Sequence, residues 1–419
     1  MSTQVRKVMN IDFNDIKFYP TLIKDYLNGT LKKKSIIDWD YSIESVLNNS
    51  SKRKFESRNT LVKSLIYQNS DIDLSETSTK NLEKLKQDNC FTICTGHQLC
   101  IYGGPAYFFS KILDVIKMTQ VLNSKQDKHH YAPVFWMASE DHDFEEISEV
   151  NIFNKNLKWN NNIKGAVGQL STETLKEIQD QFSTILGSTI KPSKINVIFE
   201  QAYNSGENLA EATRYFVNEF FGKEGLLIID GDSPELKQLL TPIIRREITE
   251  QITELSVNRG IKKLSDYKIQ AKPRSVNLFY IDNNYRERVI LEDNEIKTAD
   301  GKLSWSQEDF LQLISTTPEH ISPNVFLRPV YQELCLPNVA YIGGAGETSY
   351  WLELPELFKA LNIPFPVPVV RNSYLYLSQK QLDVIENFGF KTSEFFKEED
   401  VLVKEYIEKS HGDDLKLSK

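Results

Sequence analysis

The segment VFWMASEDHDFEE (Val134–Glu146) sets an apolar run directly against a burst of charge: Glu140, Asp141, His142, Asp143, Glu145 and Glu146. A histidine flanked by carboxylates can ligate a metal ion or act as a general base. The carboxylates alone can instead hold a cationic amine. Packed acids repel a triphosphate unless Mg2+ or basic residues intervene, so the loop suits an ammonium group better than phosphates. The plainer reading is a solvated helix start, where acids favour the helix dipole. That reading fits Glu145 and Glu146. Glu140, Asp141, His142 and Asp143 are the candidates for catalysis.

Two glycine loops offer a second kind of chemistry. In TGHQLCIYGGP, Thr95, His97 and Gln98 supply polar side chains, and Gly96, Gly103 and Gly104 allow close backbone approach ahead of a helix, a natural anion site. Neither G-x-G-x-x-G nor G-x-x-x-x-G-K-[ST] is present, and a tight turn is an equal reading. Lys111 lies about two turns into the following helix, where a solvated lysine is commoner than a phosphate ligand. In GGAGETSYW, Gly343, Gly344 and Gly346 again permit backbone contact with an anion, whereas Glu347 at a helix start also suits a cap. Arg328, in VFLRPVYQE, reads either as a carboxylate or phosphate clamp or as a surface ion pair. Cys94, His97 and Cys100 have a metal-like spacing, but without a C-x-x-C pair they read as buried thiols and a histidine, and no metal site is predicted.

Each of these loops follows a strand-like run: FTIC (91–94), APVFWMA (132–138), LLIID (226–230) and VAYI (339–342). Helices are predicted over 105–126, 234–254 and 348–361, after earlier ones near 57–68 and 79–87. PVPVV (366–370) suits an edge strand because its prolines cannot donate to a ladder. Strands alternating with helices predict an α/β fold with a mostly parallel sheet. In such sheets ligands bind outside the carboxyl ends of the strands, which gathers the special loops at one edge. The rhythm breaks at 151–225, read as a connecting helical insertion. It breaks again at 275–320, where VNLFYIDNNYRERVILED reads as a hairpin around Asn283-Asn284 in a small antiparallel insertion. The core is thus assigned to 1–150, 226–274 and 321–377, with a helical segment over 378–419.

The bulk properties narrow the partners. Over 419 residues, 50 basic against 58 acidic side chains give a net charge of −8, leaving no basic excess for a broad nucleic-acid footprint. Four cysteines are too few for a disulfide scaffold and point to a reducing compartment. The first residues lack the apolar core of a signal peptide, and no run approaches the roughly 18 apolar residues of a membrane span. The expectation is a cytoplasmic protein with no membrane contact.

TGHQLCIYGGPAYFFSKI, PVFWMASEDHDFEEI, FLRPVYQELCLPNVAYIGGAGETSYW and PFPVPVVR resemble, in this order, motifs of the cysteine-adding enzyme (cysteine ligase) family of bacillithiol biosynthesis. The resemblance runs from about residue 90 to 372. It implies a Rossmann-like core akin to class I synthetases, with connecting insertions, followed by the start of a helical coiled-coil segment that supports a homodimer in the full-length protein. Family members continue beyond a complete coiled coil, so the chain to Lys419 is expected to be a fragment or a shortened member. The implied reaction joins L-cysteine to glucosaminyl-malate through an activated carboxylate, with ATP and Mg2+ as the natural activating co-substrate. The glycine loops would then hold anionic parts, Glu140, Asp141 and Asp143 an ammonium, and His142 or an adjacent acid would take the proton. The chain departs from the family at His97, where glutamine is common, and at Ala345, where proline is common. Two rivals stand beside this reading. One is metal-dependent hydrolysis on Asp141, His142 and Asp143, against which His129, His130, His320 and His411 form no second motif. The other is a non-catalytic nucleotide-binding module.

Overall fold

The structure, a computed structural model, describes residues 8–160, 165–187, 194–282, 285–293 and 295–411. Its strands, in chain order, are β1 (Cys90–His97), β2 (His130–Met137), β3 (Glu149–Ile152), β4 (Lys155–Lys158), β5 (Leu227–Asp230), β6 (Leu278–Asp282), β7 (Tyr285–Glu292), β8 (Glu295–Thr298), β9 (Ser304–Trp305), β10 (Ile321–Pro323), β11 (Asn338–Gly343) and β12 (Val367–Val370). Five of them form the core sheet in the order β12-β11-β1-β2-β5. Every pairing in it is parallel, with Ile93 facing both Ala340 and Pro133, and Phe135 facing Ile228. The chain builds outward from β1 to β2 and β5, then returns to lay β11 and β12 on the other side. The order therefore reverses between β1 and β11, the switch point at which such sheets open a crevice.

The core strands are mainly apolar because both faces of the sheet are covered. Side chains alternate between faces along β2. Val134 and Trp136 enter one core with Leu227, Ile229 and Trp351. Phe135 and Met137 enter another with Phe108, Ile112 and Phe216. The helix Tyr107–Lys125 buries Phe108, Ile112, Val115, Ile116 and Leu122, the face its spacing predicts. β12 lies at the sheet edge, as its prolines require. The insertion after β5 is a second, antiparallel sheet, β10-β6-β7-β8-β9, in which Ile281 pairs with Arg286. The predicted Asn283-Asn284 turn lies outside the described residues.

Three predicted helices differ in extent. The helix expected over 79–87 spans Glu76–Lys84, started by Ser75, whose side chain accepts from Ser78 N at 3.0 Å. Ser75, a good N-cap, moves the start three residues upstream. The helix expected over 234–254 is broken into Pro234–Lys237, Thr241–Glu250 and Ile252–Lys263. Gln251 takes a left-handed φ of 51° at the main break, a conformation costing roughly 1–2 kcal/mol for a residue with a Cβ. The buried Glu247 carboxylate bridges this joint. It accepts from Thr253 N at 3.1 Å, and from Asn277 N at 2.9 Å and Asn277 Nδ2 at 2.8 Å. The helix expected over 348–361 starts at Ala345, stops at Trp351 and restarts at Pro355. Proline has no N–H and its ring would clash one turn back, so it opens a new helix.

After Ser378 the described residues form the helices Gln379–Asn387 and Glu399–His411, joined through Thr392–Phe396. A coiled coil is not among the described elements. Among the described residues no helix is long and apolar enough to cross a membrane.

A buried ion pair helps to fasten the N-terminal helices to the core. Arg53 Nη2 lies 2.7 Å from Glu333 Oε2, with both side chains almost wholly buried. The guanidinium also donates to the carbonyls of Pro364 and Leu336 at 3.1 and 2.9 Å. Burial pushes the Glu333 carboxyl up to about 7, against the pull of Arg53. Removing one partner of such a pair leaves an uncompensated buried charge, costing about 3–5 kcal/mol. Arg53→Met should lower the unfolding free energy by about that amount, and the double change Arg53→Met/Glu333→Leu should recover part of it. Urea denaturation of the three proteins checks this; additive losses would contradict it.

Candidate active site

The carboxyl ends of β1, β2, β5, β11 and β12 meet at one edge, and the predicted loops hang from them. Thr95 is buried and donates to Ile342 O at 2.7 Å, tying β1 to β11. Gly103 and Gly104 have φ of 75° and 52°, and a Cβ there would fall 2.4 Å from Phe109 and Cys100 respectively. These two glycines serve the turn itself. A Cβ on Gly96 would lie 3.3 Å from the Tyr341 hydroxyl, and one on Gly343 3.1 Å from Glu347, whereas Gly346 faces open space.

Lys111 is not solvated. It is 4% exposed, donates to Gly96 O at 2.5 Å and pairs with Glu347 Oε2 at 2.8 Å. Glu347 also accepts from the Tyr341 hydroxyl and from Gly344 N at 3.1 Å. Burial disfavours the Glu347 charge, but Lys111 and these donors outweigh it and hold the carboxyl below its ordinary range. The spacing carried the signal: Lys111 falls three residues after Phe108 and four before Val115, on the apolar face. Its charge is committed to Glu347, so the two glycine loops do not form a phosphate cradle around a free lysine.

His97 packs its ring against Tyr107 and Phe108 at 5.5 and 5.1 Å. Its Nδ1 lies 2.9 Å from Gln98 O, which assigns the proton to Nδ1 and leaves Nε2 as an acceptor. Burial and then Lys111 press its pKa down to about 4, so the ring is neutral at pH 7. Arg371 sits with its guanidinium 4.8 Å from the Tyr107 ring centroid and donates its backbone N–H to Gly343 O at 2.8 Å. It borders the crevice between the glycine loops and was not singled out by the sequence, where it closes the edge-strand motif.

The acidic loop is divided in its work. Glu140 is buried, 2.8 Å from Lys237 Nζ. Lys237 also pairs with Asp232 at 2.8 Å and donates to Glu319 O at 2.8 Å. Burial opposes its charge, yet Glu140 and Asp232 prevail and raise the ammonium to about 12. Asp143 caps the short helix Phe144–Ile147 by accepting from Glu146 N at 3.4 Å. Glu145 and Glu146 are exposed. With Asp143 capping a helix and Asp141 bound to arginine, this loop presents no ready three-ligand set. Among the described residues no three His, Cys, Asp or Glu side chains gather that way.

Asp141 and His142 are the pair presented to the site. Asp141 Oδ2 accepts from Gln98 Nε2 at 3.3 Å and Arg328 Nη1 at 3.4 Å, and Oδ1 accepts from His142 N at 2.8 Å. Gln98 thereby joins the loop after β1 to the loop after β2. His142 Nδ1 lies 3.4 Å from Asp141 Oδ1 and 2.6 Å from Arg286 Nη1. Arg286 comes from β7, stacked 3.7 Å over the Phe279 ring. Burial and then Arg328 lower its pKa to about 10. Sequence reasoning missed Arg286 and Lys237. Arg286 looked like one of two alternating arginines in a hairpin, and Lys237 like an ordinary charge on a helix. Nothing local marks either as reaching the acidic loop.

For Asp141, burial raises the pKa, but His142 and Arg328 overcome it and hold the carboxyl far below its usual value. A folded pKa below the unfolded one contributes stability that is present above about pH 4 and lost as pH falls towards the folded value. Asp141→Asn should therefore make the loss of stability between about pH 4.5 and pH 2 shallower. Denaturation midpoints across that range test this, and an unchanged slope would contradict it.

The family model for bacillithiol biosynthesis BshC, N-terminal Rossmann-like domain, matches residues 7–372. Three relatives are each named "Putative cysteine ligase BshC". The protein of Flavobacterium johnsoniae is 39% identical over 397 residues, covering 94% of this chain and 75% of its own. That of Christiangramia forsetii is 36% identical over 421 residues, covering 97% and 78%. That of Bacillus cereus is 29% identical over 380 residues, covering 85% and 69%. With the parallel sheet and its reversal between β1 and β11, these matches place the chain in the bacillithiol biosynthesis BshC family.

Proposed function

We propose that this chain is a carbon–nitrogen ligase that joins the carboxyl group of L-cysteine to the amine of glucosaminyl-malate, the last step of bacillithiol biosynthesis. The names of its relatives support the cysteine-ligase part. The observation that carries the reading is the Asp141–His142 pair, set at the carboxyl edge of the sheet and joined through Gln98 to the neighbouring loop.

Amide formation has two requirements. The amine must be neutral when it attacks, and the carboxyl carbon must carry a leaving group. His142 answers the first in this proposal. Its side chain is 52% exposed, and Asp141, held ionised, stands ready to stabilise the imidazolium formed when the amine proton is taken. Gln98 and Arg328 fix the Asp141 carboxylate. The second requirement is met by ATP with Mg2+ as activating co-substrate. Because Lys111 is bound to Glu347, any nucleotide phosphate would rely on other groups, of which Arg371 and the Gly344–Gly346 backbone border the crevice.

Mass spectrometry of cysteine, glucosaminyl-malate and protein, with and without Mg-ATP, tests both parts. Product should form only with Mg-ATP. Asp141→Asn and His142→Ala should each lower the rate by about 10²–10⁴, the usual contribution of a positioned proton acceptor, with the melting temperature little changed. Full activity in both variants would overturn the reading.

A further inference from the structure

We infer that Arg286 and Arg328 together form a carboxylate clamp whose ligand is the dicarboxylate (malyl) end of the amine substrate. The inference rests on the ligase reading above. Two guanidinium groups converge on Asp141 and His142 from separate elements, β7 and the helix Leu327–Cys335. One carboxylate faces them, because Glu140 belongs to Lys237 and Asp143 to a helix start. Among the described residues Arg286 makes no direct ion pair with a carboxylate, although the charges of Asp141 and Glu140 act on it at longer range. Its Nη1 meets an imidazole nitrogen, and its Nε is buried without an acceptor among the described residues. Among the described residues the Arg328 side chain makes one hydrogen bond, at 3.4 Å, and it is 27% exposed, which leaves donors that solvent or a ligand can reach. With Asp141 paired to Arg328 and Glu140 to Lys237, the two guanidinium groups keep donors that a further anion can take. The planar guanidinium fork accepts carboxylate or phosphate equally well. Asp141, a fixed charge beside both, disfavours the denser charge of a phosphate and so favours a carboxylate.

The clamp bears on the chemistry. In this structure Arg286 donates to Nδ1 of His142. A substrate carboxylate that engages Arg286 frees Nδ1, so the proton acceptor becomes available once the dicarboxylate is seated.

Isothermal titration of the full chain with L-malate, and separately with inorganic phosphate, tests the assignment on wild type, Arg286→Gln, Arg286→Lys and Arg328→Gln. Malate should bind wild type and weaken at least tenfold in both glutamine variants. Arg286→Lys, which keeps the charge and loses the fork, should fall between. The KM for glucosaminyl-malate should rise at least tenfold in Arg328→Gln while the KM for cysteine stays put. If Arg286→Gln does not fold, Arg328→Gln carries the test. Malate affinity or KM unchanged in the variants overturns the clamp, as does phosphate binding as tightly as malate and being lost in the same variants. Malate binding needs no turnover, so a protein that binds malate through these arginines but makes no product fails the ligase reading alone.

Discussion

The buried Lys111 and the partly buried Glu347 pair where the strand order reverses, and the two halves of the sheet meet across them. The lysine also reaches the carbonyl of Gly96 and the glutamate the amide of Gly344, so a single ion pair sets both loops that flank the crevice. Taken alone such a pair is weak grounds for stability, since desolvating both charges costs several kcal/mol each. What it does here is geometric. It gives each loop one position relative to the other, and Gln98, one residue beyond His97, carries that position onward to Asp141.

The acidic loop shows how charge is apportioned at such an edge. Of four candidate residues, one neutralises a buried lysine and one starts a helix, leaving Asp141 and His142 facing two arginines. A segment that looks uniformly anionic in one dimension is bordered by cations on one side in three. The expectation of an ammonium subsite built from three acids came from counting charges along the chain. The cations that pair with two of them, Lys237 and Arg328, lie 97 and 187 positions away from Glu140 and Asp141 respectively.

Much of the fold was legible because it rests on local patterns. FTIC, APVFWMA, LLIID and VAYI are short apolar runs, each alternating with a helical pattern, and each ends at a loop where the sheet ends. The breaks at Gln251 and before Pro355 were less legible. Pro355 was a local signal passed over, whereas the break at Gln251 depends on Glu247 finding Asn277, a tertiary event. The site divides the same way. The loops that carry it were visible as motifs, but which side chains face one another was not, because Arg286 arrives from an insertion that the core's rhythm treats as an interruption.

That insertion is joined to the core through Glu247, whose one carboxylate takes donors from Thr253 and Asn277. A joint made of several short hydrogen bonds around a buried charge does not swing freely. The stack of Arg286 on Phe279 then fixes the guanidinium at the end of a rigid arm. Ordering a long cationic side chain ordinarily costs about 0.5–1.5 kcal/mol when a ligand binds. With the arm held in this way, most of that ordering is met when the protein folds, and affinity for an anion rises without any added contact.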